Sequence, residues 1–193
     1  MTDRIDLRRR LRAQRRETPA GARIAAADGL ARELLALPLL PTRGYVAGYW
    51  AGDGEIGLHV FQLRLPAGLV YCLPILHGDI LHFAPWRAGD PLVTNRYGIP
   101  EPDVEPASAL TAVDMALVVT PLVGFDRHGQ RLGMGGGWYD RTFAFRRTSS
   151  PPPLLVGAAF ASQETTLPPP AHWDVPLDAI CTESDTVIPT ARP

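Results

Sequence analysis

Met115, Ala116, Leu117, Val118 and Val119 follow one another without a polar residue. Such a run reads as a fully apolar strand. Residues 44–50, 69–73, 154–161 and 179–182 read as further strands, with 80–85 as a hairpin neighbour of 69–73. Helical spacings lie before and between them. Residues 3–16 form a first helix with Leu7 and Leu11 as an apolar ridge, broken by Thr18-Pro19-Ala20-Gly21. A second helix puts Ile24, Ala27, Ala31, Leu34 and Leu35 on its buried side. Leu58, Phe61 and Leu65 keep a helical spacing within residues 57–65, and residues 138–146 also read as helix. Residues 87–106, studded with proline and acids, read as a long loop. This alternation confines the chain to an α/β sandwich around a largely parallel sheet. No repeat or linker divides it, so residues 1–193 are expected to form a single domain.

The basic charge narrows the chemistry. All 19 residues in the Lys+Arg total are arginine. A lysine Schiff base, a lysine nucleophile and a P-loop lysine are thereby excluded, and a guanidinium, protonated near neutral pH, replaces none of them. Arg4, Arg8 and Arg12 recur every fourth residue on one face of the first helix. The formal net charge of −1 supplies no global field for nucleic acid or a membrane surface. The longest apolar stretch, residues 34–40, is too short to span a bilayer and contains Pro38. No apolar signal segment opens the chain. Cys72 and Cys181 sit in apolar strand-like runs, as buried free thiols of a reducing cytosol would. A cytoplasmic protein, bound to neither nucleic acid nor membrane, is expected.

The strongest local feature is Arg131-Leu132-Gly133-Met134-Gly135-Gly136-Gly137-Trp138-Tyr139-Asp140-Arg141. It follows an apolar strand and runs into a helix. Glycines at four of five positions let backbone N–H groups turn toward a ligand, and a helix start favours negative charge. Arg131 and Arg141 flank the loop as two-point phosphate grips, and Asp140 beside it could hold a magnesium ion shared with a nucleotide. The loop is no Walker motif, for want of a lysine, and lacks the setting of a dinucleotide fingerprint. His128 lies in an Asp-Arg-His-Gly stretch that turn formation explains, so it is not assigned as a general base.

With Pro121-Leu122-Val123-Gly124-Phe125-Asp126-Arg127-His128-Gly129 before it, this segment resembles the signature of the 5-formyltetrahydrofolate cyclo-ligase family. Further matches run in order: Leu7-Arg8 on the first helix, Glu55-Ile56 after the first strand, Tyr97-Gly98-Ile99-Pro100-Glu101-Pro102, and Asp174 and Asp178 before the last strand. The resemblance covers nearly the whole chain. It implies a single three-layer αβα sandwich, Rossmann-like, acting as a monomer. It also implies ATP- and Mg2+-dependent closure of 5-formyltetrahydrofolate to 5,10-methenyltetrahydrofolate, with ADP and phosphate released. An amide oxygen leaves poorly. Phosphorylating the formyl oxygen makes it a good leaving group, and N10 then attacks the activated carbon. Charge stabilisation and alignment dominate such a reaction, which needs no protein nucleophile.

Carried over by residue, the resemblance gives ATP to Arg4, Arg8 and the run Arg131, Leu132, Gly133, Met134, Gly135, Gly136, Gly137, Trp138 and Tyr139. Asp140 and Asp174 share magnesium. Glu55 accepts hydrogen bonds from the pterin ring, Trp50 and Tyr97 cover the folate, and the substrate also meets Met134, the glycines 135–137 and Trp138. Arg131, Asp140 and Trp138 act in catalysis. Three positions depart from the family pattern: Arg4 stands for a usual lysine, Met134 for an arginine found in some members, and Trp138 for the first of two tyrosines.

Overall fold

The computed structural model describes residues 3–189. Two helices come first, α1 (Arg4–Arg16) and α2 (Ala20–Leu35), followed by β1 (Gly44–Ala47), α3 (His59–Leu63), β2 (Leu69–His77) and β3 (Ile80–Pro85). A small hairpin of β4 (Leu92–Thr94) and β5 (Pro100–Pro102) precedes β6 (Met115–Pro121) and a second hairpin of β7 (Gly124–Phe125) and β8 (Arg131–Leu132). The chain ends with α4 (Trp138–Thr142), β9 (Leu154–Ala158), β10 (Ala179–Cys181) and β11 (Thr186–Val187).

Seven strands form the main sheet in the order β11-β10-β9-β6-β1-β2-β3. The inner five are parallel, and β3 and β11 pair antiparallel at the two edges. Apolar side chains cover both faces. On one, Leu30 and Leu34 of α2 and Phe61 of α3 pack on Val46, Leu73, Leu117 and Val156. On the other, Phe83, Phe125 and Phe143 pack on Ala47, Cys72, Val118 and Ile180. The expected three-layer αβα sandwich with a largely parallel sheet is therefore present. A register shift between β1 and β6 pairs Tyr45 with Met115 but Val46 with Leu117. The bulge turns Met115 onto the same face as Val118.

Several elements differ from the sequence reading. Ile24 is 67% exposed, and the buried stripe of α2 runs through Ala26, Ala27, Leu30, Ala31 and Leu34. Ile24 falls at the rim of that arc. The first strand ends at Ala47, three residues early, whereas β2 continues to His77. Residues 87–106 contain the β4–β5 hairpin. The helix expected over 138–146 is broken at Phe143: α4 stops at Thr142 and a 3-10 turn takes Ala144–Arg147. β11, only two residues long, has no readable periodicity. Cys72 and Cys181 are free and buried, as expected.

Candidate active site

Strand order fixes where a site can form. From β1 the chain moves outward to β2, then returns to the other side of β1 with β6. In doubly wound sheets such a reversal opens a crevice at the carboxyl ends of the two central strands. Here a cavity of about 350 Å³ lies there. It is lined by residues following β1 (Tyr49, Trp50, Glu55), by Pro121 and the loop beyond β6, and by Pro74, Leu76 and Leu81 of the β2–β3 hairpin. Arg4, Arg8, Trp50, Glu55, Tyr97, every residue from Arg131 to Asp140, and Asp174 all reach this one cleft. Of the positions given a ligand role from the sequence, Arg141 alone is not among them; it lines a neighbouring groove that shares the glycine loop.

Helix α1 reaches the cleft from its N-terminal end. Asp3 caps it by accepting from the Ile5 N–H, and Leu7 and Leu11 bury against Val123 and Leu132. Arg8 Nε donates to Gly133 O at 2.7 Å, and a Cβ on Gly135 would stand 3.4 Å from the Arg8 guanidinium carbon. Burial, then the charges of Arg4 and Arg12, lower the Arg8 pKa below its ordinary value, which marks a cation short of counter-charge. Arg4 is better matched. Its Nη2 pairs with Asp174 Oδ2 at 2.9 Å and donates to Pro169 O at 3.0 Å.

The glycine loop leaves the β7–β8 hairpin and enters α4 through Gly137, at φ 68°. An added Cβ there would meet only the movable tip of Arg141, with Nη1 at 2.7 Å, so it is the left-handed conformation that favours glycine. Helix α4 is only five residues long, so loop N–H groups offer more to an anion than its dipole. Arg131 is largely buried, with its guanidinium held by the Asp140 carboxylate and Val175 O. Asp140 Oδ1 also accepts the Val175 N–H at 3.1 Å. Asp174 Oδ2 accepts the Ala171 N–H at 2.8 Å. Burial lowers the Arg131 pKa, against the charges of both carboxylates. Arg141 turns toward the β2–β3 hairpin, donating to Asp79 O at 2.7 Å and to Gly136 O at 2.8 Å. Its guanidinium lies 5.1 Å from the Trp138 ring centroid, and Trp138 meets Tyr97 edge-on at 6.0 Å.

Glu55 lines the same cleft from the turn after β1. The turn before it closes through Glu55 N–H to Gly52 O at 2.8 Å, and Gly52 N–H returns to Glu55 Oε2 at 3.0 Å. Burial raises its pKa, against the Gly52 hydrogen bond and the Arg15 charge. Asp53, in the left-handed region at φ 50°, gathers Arg12, Arg15 and Arg16. Burial would raise this carboxyl too, but the hydrogen bonds of Arg12 and Arg16 and the charges around it bring it down to about 2.

Three polar or aromatic lining residues escaped the sequence reading. Tyr49 donates to Ile56 O at 2.6 Å. Asn95 Oδ1 accepts the N–H groups of Tyr97 and Ile99, while its Nδ2 donates to Glu101. Trp173, half exposed beside Asp174, belongs both to the cleft and to a more open groove across the glycine loop with Arg141 and Arg147. Only Asn95 carried a signal, an Asx residue ahead of a glycine turn.

Residues 1–183 match the profile of the 5-formyltetrahydrofolate cyclo-ligase family. A 5-formyltetrahydrofolate cyclo-ligase of Haemophilus influenzae is 39% identical over 137 residues, spanning 68% of this chain and 72% of that protein. Its Escherichia coli K12 namesake is 36% identical over 160 residues, spanning 80% and 86%. The solved 5,10-methenyltetrahydrofolate synthetase of Aquifex aeolicus superposes with a TM-score of 0.81 at 25% identity, over 98% of this chain and 94% of that one.

Proposed function

The chain belongs to the 5-formyltetrahydrofolate cyclo-ligase family, and from that premise we propose that it closes 5-formyltetrahydrofolate to 5,10-methenyltetrahydrofolate at the expense of ATP in this cleft. One observation carries the assignment of the site: a polar wall at Glu55 and an arginine-edged glycine loop face one cavity, with two carboxylates between Arg4 and Arg131. The first suits a pterin, whose amino and ring N–H groups need an acceptor. The second suits phosphate oxygens.

In this reading the folate ring system lies between Trp50, Tyr97 and Glu55, and the triphosphate follows the glycine loop with Arg8 and Arg4. The loop borders both the cleft and the outer groove, so the reacting ends of the two substrates meet there. The formyl oxygen takes the terminal phosphoryl group. N10 attacks the activated carbon, and phosphate leaves with the former formyl oxygen and the proton lost from N10. The protein aligns the two ends and screens charge. Arg131 fixes the Asp140 carboxylate through its guanidinium, and the Trp138 ring offers a π-face to the cationic product.

Asp140 and Asp174 supply hard carboxylate oxygens, and no group of three or more His, Cys, Asp or Glu able to cage a metal occurs among the described residues. Such a pair fits Mg2+ arriving with the nucleotide, because that ion commonly takes one or two carboxylates with phosphate oxygens. When bound it would neutralise the phosphate charge. No described helix is long and apolar enough to cross a membrane. Action as a cytoplasmic monomer, without nucleic acid, completes the proposal.

The decisive test is ATP-dependent growth of the methenyl chromophore from 5-formyltetrahydrofolate. Folded protein that gives no turnover with any nucleoside triphosphate would sink the proposal. Asp140→Ala is expected to lower kcat at least ~100-fold, the scale of losing a preorganised charged contact, while circular dichroism stays unchanged. Near-normal turnover at saturating magnesium would remove Asp140 from the metal role.

A further inference from the structure

Arg15 lies outside the cleft, yet it is 1% exposed, a degree of burial that arginine rarely reaches unpaired. Its Nε donates to Asp53 O at 3.1 Å, and its Nη2 to Asp53 Oδ2 at 2.9 Å. Its Nη1 donates to Leu122 O at 3.1 Å and stands 3.8 Å from Glu55 Oε1. Leu122 O also accepts Gln163 Nε2 at 2.7 Å. One guanidinium thus joins α1 to the turn after β1 and to the segment leaving β6, the two sides of the crevice. Among the described residues it is the one cation within 4.0 Å of Glu55.

We propose that Arg15, locked by Asp53, is the positioning residue that fixes the Glu55 carboxylate toward the pterin and ties that acid to the helix bearing Arg4 and Arg8. This rests on the reading that Glu55 receives the pterin. The fork geometry is what makes it work. Nη1 is already fixed by Leu122 O, and Nε and Nη2 are fixed by Asp53, so the point charge beside Glu55 cannot wander. A buried ion pair is weak evidence for stability as such. This one also adjoins an acid that lines the ligand cleft, and burial pushes that acid toward its neutral form. Tyr49, Tyr139, Asp53 and Arg12 complete its charged and titratable surroundings. None of these but Asp53 and Arg12 carries charge near neutral pH, and those two are paired with each other.

A double-mutant cycle separates positioning from general stability, because residues acting through one another are non-additive. Binding of 5-formyltetrahydrofolate is measured by calorimetry without ATP, so that no turnover occurs, on wild type, Arg15→Met, Glu55→Gln and the double variant. Glu55→Gln should weaken binding ~10-fold or more, the worth of hydrogen bonds to a charged group. Arg15→Met should weaken it ~5-fold in the wild-type background, and less than ~2-fold when Glu55 is already glutamine. If Arg15→Met proves unfolded by circular dichroism, Arg15→Lys enters the same cycle. It keeps the charge but cannot hold Asp53 and Leu122 O in fork geometry. Equal losses in the two backgrounds overturn the positioning role and leave the pterin reading intact. A Glu55→Gln protein that binds folate normally overturns the pterin reading first, and Arg15's role with it.

Discussion

Two adjacent acids, Asp53 and Glu55, face opposite electrostatic demands. Asp53 has three arginines, and its carboxyl is held at about 2 against an ordinary 3.8. A depressed acid contributes stability that is present above its unfolded pKa and lost as pH falls through the folded one. The Asp53 contribution should therefore be complete above about pH 4 and fade toward pH 2. Asparagine tolerates the left-handed backbone of this position, so Asp53→Asn isolates the charge. It leaves Arg15 buried without its carboxylate, and breaking such a pair costs about 3 kcal/mol. Urea unfolding at pH 7 should show that loss, with the gap to wild type closing under acid. Glu55 is shifted the other way, above its ordinary 4.5 by burial. Pterin binding needs the carboxylate, so affinity should be full well above the raised pKa and lost as pH falls through it. The KM for 5-formyltetrahydrofolate should accordingly rise on acidification, earlier than a free glutamate would dictate, and Glu55→Gln should flatten that profile. The same sign makes the ionised acid a cost to the fold, so Glu55→Gln should keep or raise the Tm at neutral pH. An unchanged KM profile in Glu55→Gln would assign the titration elsewhere. Glu55 was legible through its family motif. The Asp53 clasp was not, because an ion pair between positions 15 and 53 leaves no periodicity in sequence.

Among the elements, legibility followed length and periodicity. α1 kept its expected bounds to within a residue because its cap, ridge and proline stop are all local. The β4–β5 hairpin was read as loop because Pro100 and Pro102 withhold ladder donors, which proline can do only at an edge or in a two-stranded pair. It holds through Asn95 and Glu101, whose Oε2 also takes the Leu76 N–H at 3.2 Å. The Tyr97 turn is thereby pinned to β2 over the cleft. The buried stripe of α2 keeps Ala27, Ala31 and Leu34 as expected but takes Ala26 and Leu30 in place of Ile24 and Leu35, and Gly29 shows why propensity misleads there. Alanine would favour an isolated helix by about 1 kcal/mol. Here its Cβ would stand 2.2 Å from Glu183 O, a backbone atom of the loop after β10. Glu183 Oε2 in turn accepts the Ala161 N–H at 2.9 Å, so that loop cannot simply retreat. Gly29→Ala should therefore destabilise by about 1–3 kcal/mol, the range for overpacking a filled contact. A thermal melt decides it: a Tm equal to or above wild type would mean the loop yields at no cost.

At the scale of the molecule, strand order matters more than any one motif. The reversal between β1 and β6 makes a single crevice, and every motif that stood far apart in sequence empties into it. The sequence reading reached the residues because their family pattern is specific. It could not reach their convergence, which depends on parallel pairings between strands tens of residues apart. α1 closes the crevice like a strap, holding the glycine loop through Arg8 and the Glu55 turn through Arg12, Arg15 and Arg16. This arrangement also gathers most of the indole. Of the four tryptophans, Trp50, Trp138 and Trp173 line the cleft, and Trp86 packs edge-on to Trp50 at 5.8 Å. Trp50 lies on the segment after β1 that also carries Glu55, whereas Trp138 follows the glycine loop and Trp173 lines both the cleft and the outer groove. The two substrates should therefore leave different optical signatures. Folate, in emission corrected for its absorbance, should perturb Trp50 and its partner Trp86, nucleotide should perturb Trp173, and Trp138, where the two substrates meet, should respond to both. Trp50→Phe, which keeps an aromatic face, should remove the part of the folate-induced change that comes from Trp50 and Trp86 and spare the response to ATP. Equal loss of both responses would mean that the two ligands do not occupy separate parts of the cleft, and that its division between Glu55 and the glycine loop is wrong.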